Sequence, residues 1–500
     1  MEAVVPMSAR PFVFLVCVVL FISSLPASQL AAQPHQSLQA ERTGTDALNG
    51  TIFYPRCSDP TFVTPGGTFT VHLTLTGSDN STGFDVTIET AYEPIVDHFG
   101  LSYTIESANS TDVILNVTIP DTVPIELYNL TVHLSSDGLT TNLTQPRAVD
   151  VIASFSDTFT FIHLTDLHVG DWRGITQSVY RSLHHRALLQ CIAEVNLQHP
   201  DFVVISGDLV FGQLYPHEYS KEYPELYDLL QRFDVPTFLC PGNHDGYSKP
   251  GEDGKAFWAY YFGPDYYSFN YGPYHFQMLD SYDFPKAQRT CISFASLNWG
   301  GSIQDTQLQW IAQDLNASAS APLTFMVLHH SPLLETTKES LLHTPYKNRD
   351  ALLQLIQNHS VDMVLAGHVH WDNVTIVNDT IYATTTTPTS SVDQRDSYWG
   401  YRVIHIQNGT IDSYNYKDPK YSTPLYKLKT RTLTPTAIFI RNRQQTPLPL
   451  FLRFLVPFGN YTANIGSIVQ VRQNATAQEV YVQLSIGALH SRLVRLQKTK

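Results

Sequence analysis

Residues 159–168 read FTFIHLTDLH, a short apolar run that ends in the polar motif Asp166-Leu167-His168. The same arrangement recurs further along the chain, where runs rich in Val, Ile, Leu and Phe again end in polar residues. These later motifs are Gly207-Asp208, Gly242-Asn243-His244-Asp245, His329-His330-Ser331-Pro332 and Gly367-His368-Val369-His370. Apolar runs of this length are typical of strands that are buried on both faces.

The segments between the apolar runs indicate how the predicted strands are connected. Residues 179–198 and 304–315 are amphipathic and of helical length, so strands and helices alternate. In open α/β sheets, ligand sites gather at the carboxyl ends of the strands. We therefore expect the polar motifs to meet at one rim of the sheet.

The polar residues at this rim are the types that bind divalent cations. Carboxylates, an amide and imidazoles match Mn, Zn, Fe or Mg, and no thiolate cluster is present. The spacing of two in Asp166-x-His168 and His368-x-His370 lets both side chains project to one side of an extended segment, and Asp208 can bridge two ions. Each motif alone is more typical of a turn or a polar loop, but turns would not produce all of them in order.

The motifs resemble those of the calcineurin-like metallophosphoesterase superfamily, whose pattern is D-x-H, G-D, G-N-H-D/E, H-x-P and G-H-x-H. The resemblance covers about residues 158–416. It implies an α/β central domain, a four-layer sandwich in which two mixed β-sheets are flanked by helices. It also implies two divalent metal ions, which would polarise a phosphoryl oxygen and lower the pKa of a shared water from about 15.7 towards about 7.

The resemblance also implies a role for each motif residue. One metal would be held by Asp166, His168, Asp208 and His370, and the other by Asp208, Asn243, His330 and His368. Asp208 would thus be the shared carboxylate, and His244 would contact the phosphate or protonate the leaving oxygen. His330 is preferred over His329 because it is the first residue of His330-Ser331-Pro332. For His329, a role in supporting the metal ligands and a role in packing are both left open.

Departures from two subfamilies narrow the resemblance. Purple acid phosphatases carry a tyrosine where this chain has Phe211, and protein Ser/Thr phosphatases carry Asp-Arg-Gly where it has Leu209-Val210-Phe211. With His168 in the first motif and Asp245 closing the third, the domain is most similar to the phosphodiesterase-like branch, which contains cyclic-nucleotide and glycerophosphodiester hydrolases.

Composition predicts flanking units on both sides of this domain. Residues 51–155 alternate apolar and polar side chains in short runs, which is typical of an Ig-like β-sandwich. Residues 417–500 predict a small C-terminal β-rich domain that caps or extends the central one. Its arginines, such as Arg443, Arg453 and Arg472, are expected on a solvated face rather than in a docking patch for an anionic partner. Residues 33–50 are polar and are predicted to be a flexible linker.

The N-terminus and the asparagines predict export. Residues 1–32 have the layout of a secretory signal peptide, with an uncleaved membrane anchor as the alternative. Thirteen of the 21 asparagines begin an Asn-x-Ser/Thr sequon, which predicts N-linked glycans on a secreted or surface protein, although a Thr-rich β protein also produces sequons incidentally. The sequon positions are Asn49, Asn80, Asn109, Asn116, Asn129, Asn142, Asn316, Asn358, Asn373, Asn378, Asn408, Asn460 and Asn474.

Charge and cysteine usage add weaker constraints. A formal net charge of −14 and a pI near 5.7 disfavour nucleic acid as a partner. Cys17 would leave with the leader, and the remaining four allow three pairings in an oxidising compartment. Cys240 is as well explained as a small buried side chain as by a disulfide.

The sequence therefore predicts a secreted or surface-tethered, metal-dependent phosphoesterase. We expect it to hydrolyse a phosphodiester in preference to a phosphomonoester by in-line attack of a metal-bridging hydroxide. The substrate would be a phosphate-ester small molecule of phospholipid or nucleotide type. The alternative is a non-catalytic, glycosylated cell-surface binding or adhesion protein that uses the central domain as a scaffold.

Overall fold

The computed structural model describes residues 49–499, apart from 77–81, 92–94, 110, 137, 172–182, 215–216, 293–294, 335–343, 393 and 475. The predicted signal peptide or anchor, nearly all of the predicted linker and the sequon at Asn80 lie outside the described residues. Among the described residues, no helix has both the length and the apolar character needed to cross a membrane.

The N-terminal unit consists of strands whose alternate side chains are buried. In the third strand, Val71 and Leu73 point into the core while the intervening residues face outward, as the period of two requires. The order along the sheet is β1-β3-β6-β5-β4-β7-β8-β2. The predicted strand-rich character is thus present, and the Ig-like assignment stays a prediction. The strands are β1 (Asn49–Tyr54), β2 (Thr61–Val63), β3 (Thr68–Thr76), β4 (Gly83–Thr90), β5 (His98–Ala108), β6 (Asp112–Thr118), β7 (Glu126–Ser136) and β8 (Leu139–Val151).

The central domain alternates strands and helices along much of its length. Its strands are β9 (Phe159–Leu164), β10 (Phe202–Ser206), β11 (Thr237–Cys240), β12 (Ser248–Lys249), β13 (Glu252–Asp253), β14 (Tyr267–Tyr271), β15 (Tyr274–Met278), β16 (Cys291–Ile292), β17 (Ala295–Ser296), β18 (Thr324–Val327), β19 (Met363–Ala366), β20 (Asn373–Val377), β21 (Thr380–Thr384), β22 (Gly400–Gln407), β23 (Thr410–Ser413) and β24 (Thr423–Pro424). Its helices are α1 (Leu183–Gln198), α2 (Tyr219–Leu230), α3 (Asn243–Gly246), α4 (Gly254–Tyr261), α5 (Asp305–Ala317) and α6 (Arg349–Asn358), with a 3-10 turn at Lys286–Arg289.

Two mixed sheets organise this domain. In the first, β11, β10 and β9 are parallel and β22 runs antiparallel to β9. In the second, the order is β14-β15-β18-β19-β21-β20, with β15, β18, β19 and β21 parallel. Each run predicted to end in a polar motif is a parallel strand of one of these sheets.

An aromatic core fills the space between the two sheets. Phe161 and Phe202 of the first sheet stack with ring centroids 5.2 Å apart, and Phe276 and Phe325 of the second stack at 4.5 Å. Phe161 meets Phe276 edge-on at 5.4 Å. Each buried Phe contributes about 1.5–3 kcal/mol relative to an exposed one, so this layer fixes the sheets face to face.

Helices cover the outer face of each sheet. Side chains of α1 and α2, such as Ile192 and Leu226, pack on the first sheet, and those of α5 and α6, such as Ile311 and Ile356, pack on the second. The layers are therefore helix, sheet, sheet and helix, as the resemblance implies.

The C-terminal unit forms two small sheets of its own, with orders β25-β26-β31-β28 and β27-β30-β29. Arg472 is buried and ion-paired with Glu126 and Asp97 of the N-terminal unit, each at 2.8 Å, so the expectation that this arginine is solvated is wrong. The strands are β25 (Leu428–Thr434), β26 (Ala437–Asn442), β27 (Leu448–Val456), β28 (Tyr461–Ala463), β29 (Ser467–Gln473), β30 (Gln478–Ile486) and β31 (Ser491–Lys498).

Cys57, Cys191, Cys240 and Cys291 are all buried and carry free thiols. Desolvation raises the pKa of the Cys57 thiol and of the Cys291 thiol to about 11 in each case. Of the two interpretations of Cys240, the structure therefore matches the small buried side chain.

Glu194 on α1 gives a pH-dependent prediction. Its buried carboxylate accepts hydrogen bonds from the Tyr401 hydroxyl at 3.0 Å and the Tyr426 backbone N–H at 2.8 Å. Burial raises its pKa from 4.5 to about 7, against the opposing effect of these hydrogen bonds and of one from Gln190. Between pH 4.5 and pH 7, the Glu194 carboxyl is therefore protonated in the folded protein and ionised in the unfolded chain. The free energy of unfolding consequently falls as pH rises from 4.5 to 7.

Glutamine cannot ionise, so in Glu194→Gln we expect this fall in the free energy of unfolding to be smaller by about 3 kcal/mol. Urea titrations of the wild type and the variant at about pH 4 and about pH 8 measure the difference. Equal pH dependence in the two proteins would show that the Glu194 carboxyl titrates normally.

Candidate metal centre

The polar motifs begin where parallel strands end. Asp166 lies two residues after β9, and Asp208 lies two residues after β10. Backbone hydrogen bonds then join these loops, from Asp166 N to the Gly207 carbonyl at 3.0 Å and from His168 N to the Asp208 carbonyl at 2.9 Å. In the second sheet, Gly367 N donates to the His329 carbonyl at 3.0 Å. Parallel pairing thus brings the motifs to one rim, as predicted.

Several motif residues have a left-handed backbone. This conformation costs non-glycine residues about 1–3 kcal/mol and is concentrated at functional sites. The φ angles are +55° at Asp166, +45° at His168, +53° at Asp208, +71° at His368 and +55° at His370. The surrounding loops therefore hold these side chains in place at a cost in stability.

Glycine is required where two of the loops touch. Gly207 has φ +84°, and a Cβ atom there would lie 2.5 Å from the backbone nitrogen of Gly242. The close approach lets His244 N donate to Asp208 Oδ1 at 2.9 Å. The loops after β10 and β11 are thereby fixed to each other.

One group of metal-type donors consists of Asp166, His168 and His370. One donor atom of each lies within 4.8 Å of the others. His168 Nε2 is 3.1 Å from His370 Nε2, and His370 Nε2 is 3.2 Å from Asp166 Oδ1. The His370 Nδ1 atom faces away and donates to the Ser391 carbonyl at 2.8 Å.

Asp208 lies between this group and the rest of the site. Its Oδ2 atom is 3.0 Å from His329 Nε2, 3.7 Å from His168 Nε2 and 3.9 Å from His244 Nε2. Burial alone would raise the pKa of Asp208, but the surrounding imidazoles outweigh it and hold that pKa well below 3.8. Asp208 therefore lies between His168 of the first group and His329.

A second group consists of His329, His330 and His368, again with donor atoms within 4.8 Å. The rings of His330 and His368 have centroids 4.4 Å apart. Burial and the neighbouring imidazoles lower the pKa of His330, whereas Asp208 overcomes burial and raises the pKa of His329 to about 9. Asn243 lines the cleft beside this group, together with His368.

Unsatisfied polar atoms indicate that the site fits cations. Within the described residues, the buried atoms Asp166 Oδ1 and Asn243 Oδ1 accept no hydrogen bond. The Asn243 amide nitrogen donates to the Tyr247 hydroxyl at 2.6 Å, so the amide is oriented with its oxygen unpaired. Leaving a buried acceptor unpaired costs about 1–3 kcal/mol, and hard oxygen ligands to a divalent cation would remove that cost.

The structure brings both His329 and His330 to the site, and their hydrogen bonds differ. His330 has both ring nitrogens engaged, one with the Ser281 hydroxyl and one with the Trp299 carbonyl, each at 3.0 Å. His329 donates only through Nδ1, to the Ser206 carbonyl at 2.7 Å, and directs Nε2 towards Asp208. A carbonyl partner on the outer nitrogen is the usual arrangement of a metal-bound imidazole. The ligand role of His330 stays a prediction, and the geometry favours His329.

Metal titration of His329→Ala and His330→Ala separates these two candidates. Loss of a supporting partner weakens metal affinity by about 10- to 100-fold, so we expect a larger loss for His329→Ala and a loss within that range for His330→Ala. Metal content after gel filtration provides the readout. The reverse order would return the ligand role to His330.

His244 lies at the mouth of the site. Its Nδ1 donates to the Phe211 carbonyl, which fixes the ring. Burial lowers its pKa to about 3 even though Asp208 opposes this shift. The contact of His244 with substrate phosphate stays a prediction.

A cleft of about 400 Å³ opens above these residues. Trp299 is 39% exposed, and its ring stacks on His368 with centroids 5.8 Å apart. Sequence reasoning did not identify Trp299, because it lies in a loop between β17 and α5 where no periodicity marks a function. The lining residues are Gln213, Asn243, His244, Tyr247, Ala295, Ser296, Trp299 and His368.

His163 is a core histidine. It is fully buried in β9, and its ring nitrogens contact the Ser206 hydroxyl at 2.7 Å and the Thr385 hydroxyl at 2.8 Å. Burial lowers its pKa to about 3. It links β9 to the end of β10 and to Thr385, and it is not among the donor groups found in the described residues.

Fold and donor set together define a metal-dependent hydrolase domain, with carboxylate and imidazole ligands at the strand ends of a two-sheet sandwich. The family model described as calcineurin-like phosphoesterase matches residues 159–372. Residues 159–372 thus form a calcineurin-like metallophosphoesterase domain, and relatives named as phosphodiesterases and as a phosphatase support a metal-dependent phosphoester hydrolase.

Three curated relatives show the range of similarity. A probable glycerophosphodiester phosphodiesterase of Arcobacter nitrofigilis is 27% identical over 42% of this chain and 71% of its own length. A probable cyclic nucleotide phosphodiesterase of Synechococcus is 29% identical over 34% of this chain and 58% of its own length. An acid phosphatase of Aspergillus ficuum is 28% identical over 29% of this chain and 28% of its own length. All three similarities cover less than half of the present chain.

Proposed function

We propose that this protein hydrolyses phosphodiesters in preference to phosphomonoesters. The observation that carries the preference is the charge of the cleft. Among its described lining residues there is no lysine or arginine. A monoester brings up to two negative charges near neutral pH and a diester brings one. Beside the same metal ions, a cleft lined without lysine or arginine offers no side-chain cation for the second charge, which favours the diester.

The aromatic side chains of the cleft support the same preference. Trp299 and Tyr247 line the cleft beside Asn243 and His368. A diester carries a second organic group, and flat rings next to the donor groups offer it an apolar surface. Two of the relatives are named as probable phosphodiesterases, which agrees with this assignment.

The site residues would have separate roles in binding metal and substrate. Asp166, His168 and His370 would hold one divalent ion, and Asn243, His368 and one of the histidines at 329 and 330 would hold the other, with Asp208 shared. When bound, such ions neutralise charge on the phosphoryl oxygens and lower the pKa of water. His244, fixed by the Phe211 carbonyl, is positioned to contact the ester group in the cleft.

Hydrolysis of bis(p-nitrophenyl) phosphate and p-nitrophenyl phosphate tests the proposal. The protein is stripped of metal, refilled with Mn, Zn, Fe(II) or Mg, and assayed with both esters. We expect metal-restored cleavage with a higher kcat/KM for the diester. A higher value for the monoester would make the protein a phosphatase, and no cleavage of either would favour the binding-protein alternative.

We also propose that the protein is exported and glycosylated. None of the twelve sequon asparagines within the described residues is buried, which agrees with glycan attachment. Treating protein from a secretory host with an N-glycosidase should lower its apparent mass. An unchanged mass would contradict the proposal.

A further inference from the structure

A second cavity, of about 690 Å³, lies outside the cleft and shares no lining residue with it. It is formed where residues 396–399 and 416–427 meet the C-terminal unit. Its volume is within the range of small-molecule sites. The lining residues are Asp396, Tyr398, Trp399, Tyr416, Lys417, Tyr421, Pro424, Leu425, Tyr426, Lys427, Arg443, Gln445 and Leu489.

The cavity is cationic although the protein is acidic. Lys417, Lys427 and Arg443 are exposed, and none of them forms an ion pair with a carboxylate in the described part of the chain. The lining contains one carboxylate, Asp396, which is already engaged by Lys420 at 2.5 Å and by the Tyr421 hydroxyl at 2.9 Å. Three cations thus line a concave site whose one lining carboxylate is already engaged, in a protein whose formal net charge is −14.

The other notable feature of the cavity is its aromatic content. The rings of Tyr398 and Tyr421 are nearly parallel, with centroids 6.0 Å apart. Trp399 is held in place because its indole nitrogen donates to the Ser390 carbonyl at 2.6 Å. Tyr426 is 36% exposed, which is high for an aromatic side chain beside a cavity. These flat faces suit a planar ligand group.

We propose that this cavity binds a nucleotide, with its base against the aromatic side chains and its phosphate between Lys427, Lys417 and Arg443. Inorganic phosphate would use the cations and leave the aromatic surface without a role. A neutral nucleoside would use the rings and leave the cations unpaired. A nucleotide satisfies both features, through base stacking and charge-assisted hydrogen bonds to phosphate.

The test measures AMP binding by calorimetry to metal-stripped protein carrying Asp208→Asn, so that the metal centre contributes neither binding nor hydrolysis. We expect AMP to bind more tightly than ribose 5-phosphate and adenosine by about tenfold or more, since each of these lacks one class of contact. Higher salt should weaken AMP binding, because the phosphate contacts are ionic.

A pair of matched double variants assigns the binding to the cavity. Lys427→Ala with Arg443→Ala removes two lining cations and should weaken AMP binding by about tenfold or more. Lys429→Ala with Arg441→Ala is the control. These exposed residues are backbone neighbours across β25 and β26, each two residues from a lining cation, and they do not line the cavity. The control should leave the affinity unchanged.

Three results would overturn the proposal: no AMP binding, equal weakening by both double variants, or ribose 5-phosphate binding as tightly as AMP. The last would identify a site for a phosphate group alone. Because the protein in the assay is metal-free and inactive, failure here is independent of any failure of the diesterase proposal.

Discussion

Asp208→Asn should lower metal-dependent hydrolysis by about 10³-fold or more while the protein remains folded. Asp208 Oδ2 is the atom that approaches His329, His168 and His244 within 3.0 to 3.9 Å. The amide keeps the size of the side chain and can still accept from His244 N, but it removes the negative charge that would be shared by two cations. Both ions should therefore bind more weakly.

Two measurements check this expectation separately. Metal content by mass spectrometry reports the loss of ions, and kcat/KM for the diester reports the loss of hydrolysis. The control is Asp305→Asn, because that side chain is 72% exposed at the start of α5, away from the site. Retained activity in Asp208→Asn would show that catalysis does not depend on a shared carboxylate at this position, and the two-ion arrangement would then be wrong.

Much of this site could be predicted because its residues follow buried strands. Once the apolar runs are taken as parallel strands, their carboxyl ends must meet, and the position of Asp166 or Asp208 depends only on the strand that precedes it. The choice between His329 and His330 is different in kind. Adjacent residues at a strand end project in different directions, and which ring faces Asp208 depends on how β18 packs against the first sheet. That packing is a tertiary property without a local signal.

Composition was also a poor guide to the individual arginines of the C-terminal unit. Arg472 is buried between two carboxylates of another unit, whereas Arg443 is exposed at the rim of a cavity. Both belong to the same locally basic segment. The difference arises from contacts between units that are far apart in sequence, so charge patterning predicted one environment for both.

Arg402→Met should produce the largest loss of stability, about 3–5 kcal/mol in the free energy of unfolding. Arg402 is fully buried in β22 and pairs with Asp372 at 3.2 Å. Its guanidinium also donates to the Thr385 hydroxyl and to the carbonyls of Thr384, Tyr414 and Lys420, at 2.8 to 3.1 Å. Methionine fills much of the same volume but leaves these acceptors, and the charge of Asp372, unpaired.

The comparison with Asp372→Asn separates the cost of the unpaired charge from the loss of packing. Asp372 follows His370 by two residues and accepts from the backbone N–H groups of Thr386 and Ser422, so it anchors the loop after the last motif. If an orphaned carboxylate dominates, the double variant Arg402→Met with Asp372→Asn should be less unstable than the sum of the two single variants, by about 1–3 kcal/mol. Urea titration of the four proteins closes the cycle. Additive losses would mean that Arg402 stabilises the fold through the carbonyls it bridges, and that its ion pair with Asp372 contributes little.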